Sequence, residues 1–141
     1  SLDIVAHEYG HALMTSTANL TYQNEPGALN EGFSDIWAAA VEMEFAPEKD
    51  PWLIGEDIGN TIRSMRNPKQ FNQPDTYKGQ NWFTGTANNG GVHTNSGVLN
   101  YWFYLLTQGG SGTNDLGKSY EVSGIGIQKS AAIAYRTLTV Y

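Results

Sequence analysis

The chain's densest chemistry lies near its start, where His7-Glu8-Tyr9-Gly10-His11 sets two imidazoles four positions apart. On a helix, residues at that spacing lie about 40° apart around the axis and ~6 Å along it, so both rings reach one tetrahedral zinc. Glu8 then stands beside the open ligand position that a water fills, placed to act as its base. Two histidines on one helix face also occur as ordinary surface residues, and the five residues alone leave both readings open.

A second segment bears on that choice. Glu31, Asp35, Ala38 and Glu42 recur at offsets that return to one helical face. Such a stripe can be a solvated face, but this one is flanked by Phe33, Ile36, Trp37 and Val41. Buried carboxylates need a cation or a hydrogen-bonded partner. Glu31 is a natural third zinc ligand, and Asp35, one turn on, can accept the free N–H of a zinc-bound His. Asp3, one turn before His7, would meet Glu42 at the far end of an antiparallel helix pair, on the order of 10–15 Å from the zinc. Hard oxygen ligands of that kind suit calcium.

Four helices are expected to position these groups. The first runs from Leu2 to about Ser16, with Leu2, Val5, Ala6, Tyr9 and Leu13 at helical spacing. The second, Asn30 to Phe45, follows the turn-like Glu25-Pro26-Gly27. The third runs from about Ser96 to Leu106 or Gln108 and stops at Gly109-Gly110, and the fourth from Gly126 or Ile127 to the last residues. Between Ala46 and Asn95 lies a polar region rich in Gly, Pro, Asn and Gln, with a short helical turn expected near Ile62–Arg66. A connection that long in a compact domain is usually functional or pinned by a ligand.

The 141 residues suffice for one domain and one core. The absence of cysteine excludes disulfides, thiolate-bound zinc and thiol nucleophiles. No apolar run approaches the roughly 18–20 residues of a membrane span, and a net charge of −6 argues against a nucleic-acid binder. The distribution of charge is more telling. Eleven of the fourteen acidic residues precede Ile58, where Lys49 is the only base. That is either a solvated acidic face or the surroundings of a multivalent cation. The chain opens Ser-Leu-Asp without a Met or a basic-then-apolar leader, as expected of a processed protein or a piece of a longer one.

His7-Glu8-x-x-His11 followed by Asn30-Glu31-Gly32-Phe33-Ser34-Asp35 resembles the thermolysin-like neutral metalloproteases of bacteria. Tyr22-Gln23-Asn24-Glu25, Gly55-Glu56-Asp57, Arg63-Ser64-Met65 and Gly90-Gly91-Val92-His93-Thr94-Asn95-Ser96-Gly97 extend the resemblance, in the family's order, across most of the chain.

The resemblance implies a mainly α fold: the zinc-binding helical catalytic lobe of such a peptidase, residues 1–141 forming a single domain with long metal-pinned loops. It implies hydrolysis of protein or peptide substrates by a water on zinc held by His7, His11 and Glu31, with Glu8 as general base and then acid. Tyr22 and His93 match the family's donors to the oxyanion. Arg63 matches a residue that binds the substrate carbonyl beyond the scissile bond. Ile4 and Ile62 match the apolar wall of the pocket for the next side chain, which predicts large hydrophobic residues there. Asn88 stands where the best-known members hold the His with an Asp; an Asn can hydrogen-bond the ring but brings no charge, so a shifted pH profile is expected. For calcium the resemblance adds Glu56 and Asp50, while Leu53, where some relatives carry another acid, offers only its backbone carbonyl. One calcium is therefore expected. The resemblance further implies a secreted monomer with no membrane or nucleic-acid partner, and a β-rich N-terminal lobe, a propeptide and further C-terminal helices outside this chain. Two rivals stand beside this reading: a zinc hydrolase of another substrate, and an inactive zinc- and calcium-binding fragment.

Overall fold

The computed structural model describes residues 1–140, leaving Tyr141 aside. Two long helices, α1 (Leu2–Ser16) and α2 (Asn24–Phe45), form its centre. They run antiparallel: His11 lies beside Asn30 and His7 beside Asp35, while Asp3 and Glu42 come together at the other end. Gly10 permits the close approach, since a Cβ there would fall 2.7 Å from the Cα of Ser34. The interface mixes two kinds of side chain. Ala6, Met14, Phe33, Ile36, Ala38 and Ala39 supply its apolar part, and Asp3, His7, Glu31, Asp35 and Glu42 are buried among them.

The second helix starts six residues earlier than its sequence suggests. Glu25-Pro26-Gly27 is its first turn and not a preceding turn. Proline is tolerated there because the first N–H groups of a helix have no intrahelical acceptor to lose.

After α2 the chain makes a small hairpin. β1 (Leu53–Ile54) pairs antiparallel with β2 (Arg63–Ser64), Leu53 opposite Ser64 and Ile54 opposite Arg63. A 3-10 turn at Glu56–Ile58 lies between two glycines in the left-handed region, Gly55 (φ 86°) and Gly59 (φ 75°). The helical turn expected near Ile62–Arg66 is therefore a strand, because the N–H groups of Ile62 and Met65 bond across to Ile54 and Trp52. The helical turn of this region sits further on, at Pro68–Phe71.

Within the expected loop a further helical segment, α3 (Ala87–Asn95), precedes α4 (Gly97–Gln108). Its run from Asn88 to Gly91 is left-handed, φ 51–83°, so regular helix begins only at Val92, one residue before His93. Gly109 ends α4 and opens an unexpected hairpin, β3 (Gly109–Thr113) against β4 (Ser119–Ser123), before α5 (Ile127–Val140).

The architecture is mainly α. Its core joins α2, α4, α5 and the first hairpin through Ile36, Trp52, Ile54, Met65, Phe103, Ala134 and Leu138. Phe103 is fully buried, with its ring centroid 6.3 Å from that of Trp52. Among the described residues, no helix is long and apolar enough to cross a membrane.

Candidate metal centre

His7 and His11, one turn apart on α1, face Glu31 on α2, and their ligand atoms lie within 4.8 Å of one another. The two Nε2 atoms are 3.1 Å apart, at 3.5 and 3.4 Å from the Glu31 carboxylate. On the far side of each ring Nδ1 meets an oxygen: Asp35 Oδ1 at 2.8 Å from His7, Asn30 Oδ1 at 2.6 Å from His11. With Nδ1–H directed at those acceptors, both Nε2 lone pairs point at each other and at a carboxylate. That arrangement is repulsive without a cation between them. Glu31 is wholly buried and its Oε2 has no hydrogen-bond partner, an orphan charge that a metal would satisfy. Two imidazoles and one carboxylate fit a metal of borderline character with one position open.

Asp35 is held more firmly than its sequence position suggested. Besides His7 it accepts Nε and Nη2 of Arg63, both at 2.8 Å, and Nδ2 of Asn100 at 2.8 Å. Burial alone would raise its carboxyl, but the Arg63 guanidinium and then His7 hold it well below the usual range. Burial would equally lower Arg63, and the Asp35 carboxylate reverses that.

An open cleft of about 460 Å³ lies over the triad, lined by Glu8, Thr15, Leu20, Tyr22 and His93 besides the three. The apolar hollows beside Trp37 and Trp82, about 440 and 380 Å³, hold no imidazole, whereas here a carboxylate outside the triad, a phenol and a third imidazole converge. Glu8 is exposed on the cleft side of α1. Tyr22 bonds to Glu31 Oε1 and stands 3.3 Å from His93 Nε2, itself 3.3 Å from Glu31 Oε1. Burial, then the Glu31 carboxylate, push the Tyr22 hydroxyl up, so it stays protonated. Asn88 Oδ1 lies 2.8 Å from His93 Nδ1, so the left-handed run of α3 places the amide against the ring.

The residues expected to line a side-chain pocket are not brought into that cleft. Ile4 packs against the core and Ile62, 38% exposed, lies beside Gly55. Arg63 is buried at 7% exposure with two of its nitrogens on Asp35.

At the far end of α1 and α2 a second group forms. Asp3, Glu42 and Asp57 offer oxygens within 4.8 Å of one another. Asp3 is buried and accepts Gly55 N–H at 2.6 Å and its neighbour Ile4 N–H at 2.7 Å. Burial would raise it, but bonds from Ser1, Gly55 and Ile4 hold it below its ordinary value. Glu42 is wholly buried, and none of the four carboxylate oxygens of Glu42 and Glu56 has a hydrogen-bond partner. Burial, then Glu56 and Asp3, push the Glu42 carboxyl up to about 7. Asp50, expected here, is instead paired with Arg66 and accepts Trp52 N–H; Asp57 stands in the group. Leu53 lies in β1 opposite Ser64. Crowded, unpartnered oxygens of this kind fit a hard cation.

Residues 18–141 match the family model described as "Thermolysin metallopeptidase, alpha-helical domain". This chain belongs to the thermolysin family of metallopeptidases. It is 45% identical over 146 residues to a thermolysin of Alicyclobacillus acidocaldarius and to a bacillolysin of Bacillus caldolyticus, covering 99% of this chain and 25% of each relative. Neutral protease B of Bacillus subtilis is 44% identical over 147 residues. Among solved structures, the precursor of protealysin, a metalloproteinase from Serratia proteamaculans, superposes with a TM-score of 0.63 at 34% identity, covering 74% of this chain and 37% of that one. The chain thus spans about a quarter of the length of the relatives it matches. The thermolysin family model begins after α1, whereas the relatives align over nearly the whole chain and so include His7 and His11.

Three residues that hold the centre were not singled out by sequence. Asn30, adjacent to Glu31 in the family motif, was within reach, since a second imidazole also needs an Nδ1 acceptor. Asn100 and Leu20 carried no such signal; only the folded chain brings Asn100 to Asp35 and Leu20 to the cleft.

Proposed function

We propose that the chain forms the metal-bearing helical part of a secreted zinc endopeptidase, with His7, His11 and Glu31 holding the zinc. The observation that carries this reading is the pair of Nε2 atoms 3.1 Å apart facing the buried Glu31 carboxylate, whose Oε2 has no hydrogen-bond partner, each ring fixed from behind by Asp35 or Asn30. Zinc, when bound, polarises a peptide carbonyl and lowers the pKa of its water.

The chain's own residues do the rest. Glu8 accepts the proton of the attacking water and delivers it to the departing amine. Tyr22, kept protonated, donates its O–H to the oxygen that gains charge. His93 is turned by Asn88 so that Nε2 faces the same cleft and the same oxygen. Asp35, clamped by Arg63 and Asn100, keeps His7 directed at the metal position. Arg63 retains Nη1, the nitrogen not bonded to Asp35, for a substrate carbonyl. Ile4 and Ile62, which do not line the cleft formed by this chain alone, match the family's apolar wall for Leu or Phe after the scissile bond, a wall that gains roughly 25 cal/mol per Å2 covered. At the other end Asp3, Glu42, Glu56 and Asp57 hold one calcium, with the Leu53 carbonyl as a further oxygen; Asp57 takes the role first expected of Asp50.

The deciding experiment uses the protein that carries this chain, stripped and reloaded with zinc, on an unstructured protein whose cleavage sites are mapped. One zinc per chain and cuts before Leu or Phe are expected. Cuts mainly before Gly or acidic residues would overturn the pocket assignment. One bound zinc with no hydrolysis would favour a metal-binding, inactive protein, a reading that the quarter-length match keeps in view.

A further inference from the structure

The calcium reading above leaves one group unexplained. Lys49, the only base before Ile58, does not extend into solvent: its ammonium bonds to Asp57 Oδ2 and stands 3.8 Å from Glu42 Oε1. A lysine seldom turns toward a metal site, because its charge repels the ion that the carboxylates attract. The cluster is more than a set of acids. Glu42 is wholly buried with both oxygens unpartnered, and Glu56 adds two more. Four carboxylates (Asp3, Glu42, Glu56 and Asp57) face one ammonium, so a strong demand for positive charge remains after Lys49 is counted. One divalent ion meets most of it.

Resting on that reading, we propose that Lys49 is a tethered counter-cation of the Asp3–Glu42–Glu56–Asp57 cluster, holding its Asp57 side so that the site takes a single calcium ion with reduced affinity. The ammonium shares two of the carboxylates a calcium ion would use, Glu42 and Asp57, and its presence there and the ion's full coordination exclude one another in part. Calcium coordinates six to eight oxygens and its affinity follows the net charge of its ligands, so one added positive charge at contact distance weakens binding. In return the metal-free protein is not left with four uncompensated carboxylates.

The test is calcium titration by calorimetry of the zinc-loaded protein that carries this chain, comparing wild type with Lys49→Met and Lys49→Arg, alongside melting temperatures in calcium-free buffer. Lys49→Met should bind calcium at least tenfold more tightly at low ionic strength and melt lower than wild type without calcium. Lys49→Arg, which keeps the charge, should resemble wild type in both. Equal affinity in wild type and Lys49→Met would overturn the role of Lys49 while leaving the calcium site standing. No binding by either protein would overturn both.

Discussion

Arg63 and Asp35 meet through two parallel hydrogen bonds of 2.8 Å, and this pair, buried between the first hairpin and α2, stands directly behind His7. The hairpin β1–β2 therefore braces the His7 ring from behind, through Arg63 and Asp35. Arg63→Met should leave the Asp35 carboxylate buried with only His7 and Asn100 beside it. Removing one partner of a buried pair costs about 3–5 kcal/mol, and urea unfolding of the zinc-loaded protein should show a loss of that order. Arg63→Met combined with Asp35→Asn should recover part of it. A loss below about 1 kcal/mol for the single change would show that the pair orients without stabilising.

The zinc reading separates base from ligand. Glu8→Gln should keep stoichiometric zinc and lose at least about a hundredfold in hydrolysis, since general acid–base catalysis contributes that much or more. His11→Ala should lose the metal itself. Zinc retained by dialysed His11→Ala protein, or Glu8→Gln activity above about a tenth of wild type, would contradict the assignments.

How much of this was legible beforehand differs by region. Helical periodicity and the four-residue spacing of His7 and His11 brought α1 and its chemistry into view, because both depend on local geometry alone. Glu31, Asp35 and Glu42 shared a helical face for the same reason. The start of α2 was misplaced because Pro26 and Gly27 carry turn propensity that a first helical turn tolerates. Arg63–Ser64 and the β3–β4 hairpin were missed because short strands are defined by the partner strand, which no local window contains. Asp50 and Asp57 illustrate the limit at side-chain scale. Both are acids near the same loop, and only the position of Arg66 and the turn at Glu56–Ile58 decide which one faces Glu42.

Calcium removal, with free zinc buffered, should lower the melting temperature and expose residues 46–60 to proteolysis first, because an ion bound only by the folded state adds stability that leaves with it. Glu42→Gln sharpens the test. It should abolish the calcium response and raise the melting temperature of the calcium-free protein, since a buried carboxylate among like charges is removed. A calcium response intact in Glu42→Gln would place the ion elsewhere.

Tyr101 and Tyr120 join α4 to β4 through hydroxyls 2.9 Å apart. Burial, then the bond to Tyr120, raise Tyr101 above its ordinary value near 10. The folded state therefore keeps this proton to higher pH than the unfolded chain does. Its contribution is fully present below about pH 10 and is lost as pH rises beyond it. Above that pH, wild type should lose unfolding free energy faster than Tyr101→Phe. The difference should stay well under the about 1.4 kcal/mol per pH unit of one full proton, because the ring is only half-buried. Parallel slopes in the two proteins would remove Tyr101 from the alkaline limb.

Asn88 combines two roles that a single substitution would confuse. Its backbone is left-handed (φ 51°, ψ 50°), a conformation asparagine adopts more readily than most residues, and its Oδ1 lies 2.8 Å from His93 Nδ1. Asn88→Ala forfeits both the backbone preference and the hydrogen bond. Asn88→Gly keeps the backbone and forfeits only the bond, while Asn88→Asp keeps an acceptor in the same place. If the bond turns His93 toward the cleft, Ala and Gly should both lower kcat/KM by about tenfold, the equivalent of one hydrogen bond of roughly 1.4 kcal/mol. Zinc content should not change, because His93 is no ligand in this reading. Asn88→Asp should stay within about threefold of wild type at neutral pH. Full activity in Asn88→Gly beside a loss in Asn88→Ala would assign the residue to the backbone turn alone, and the orientation of His93 would then have to come from Tyr22 and the helix that follows.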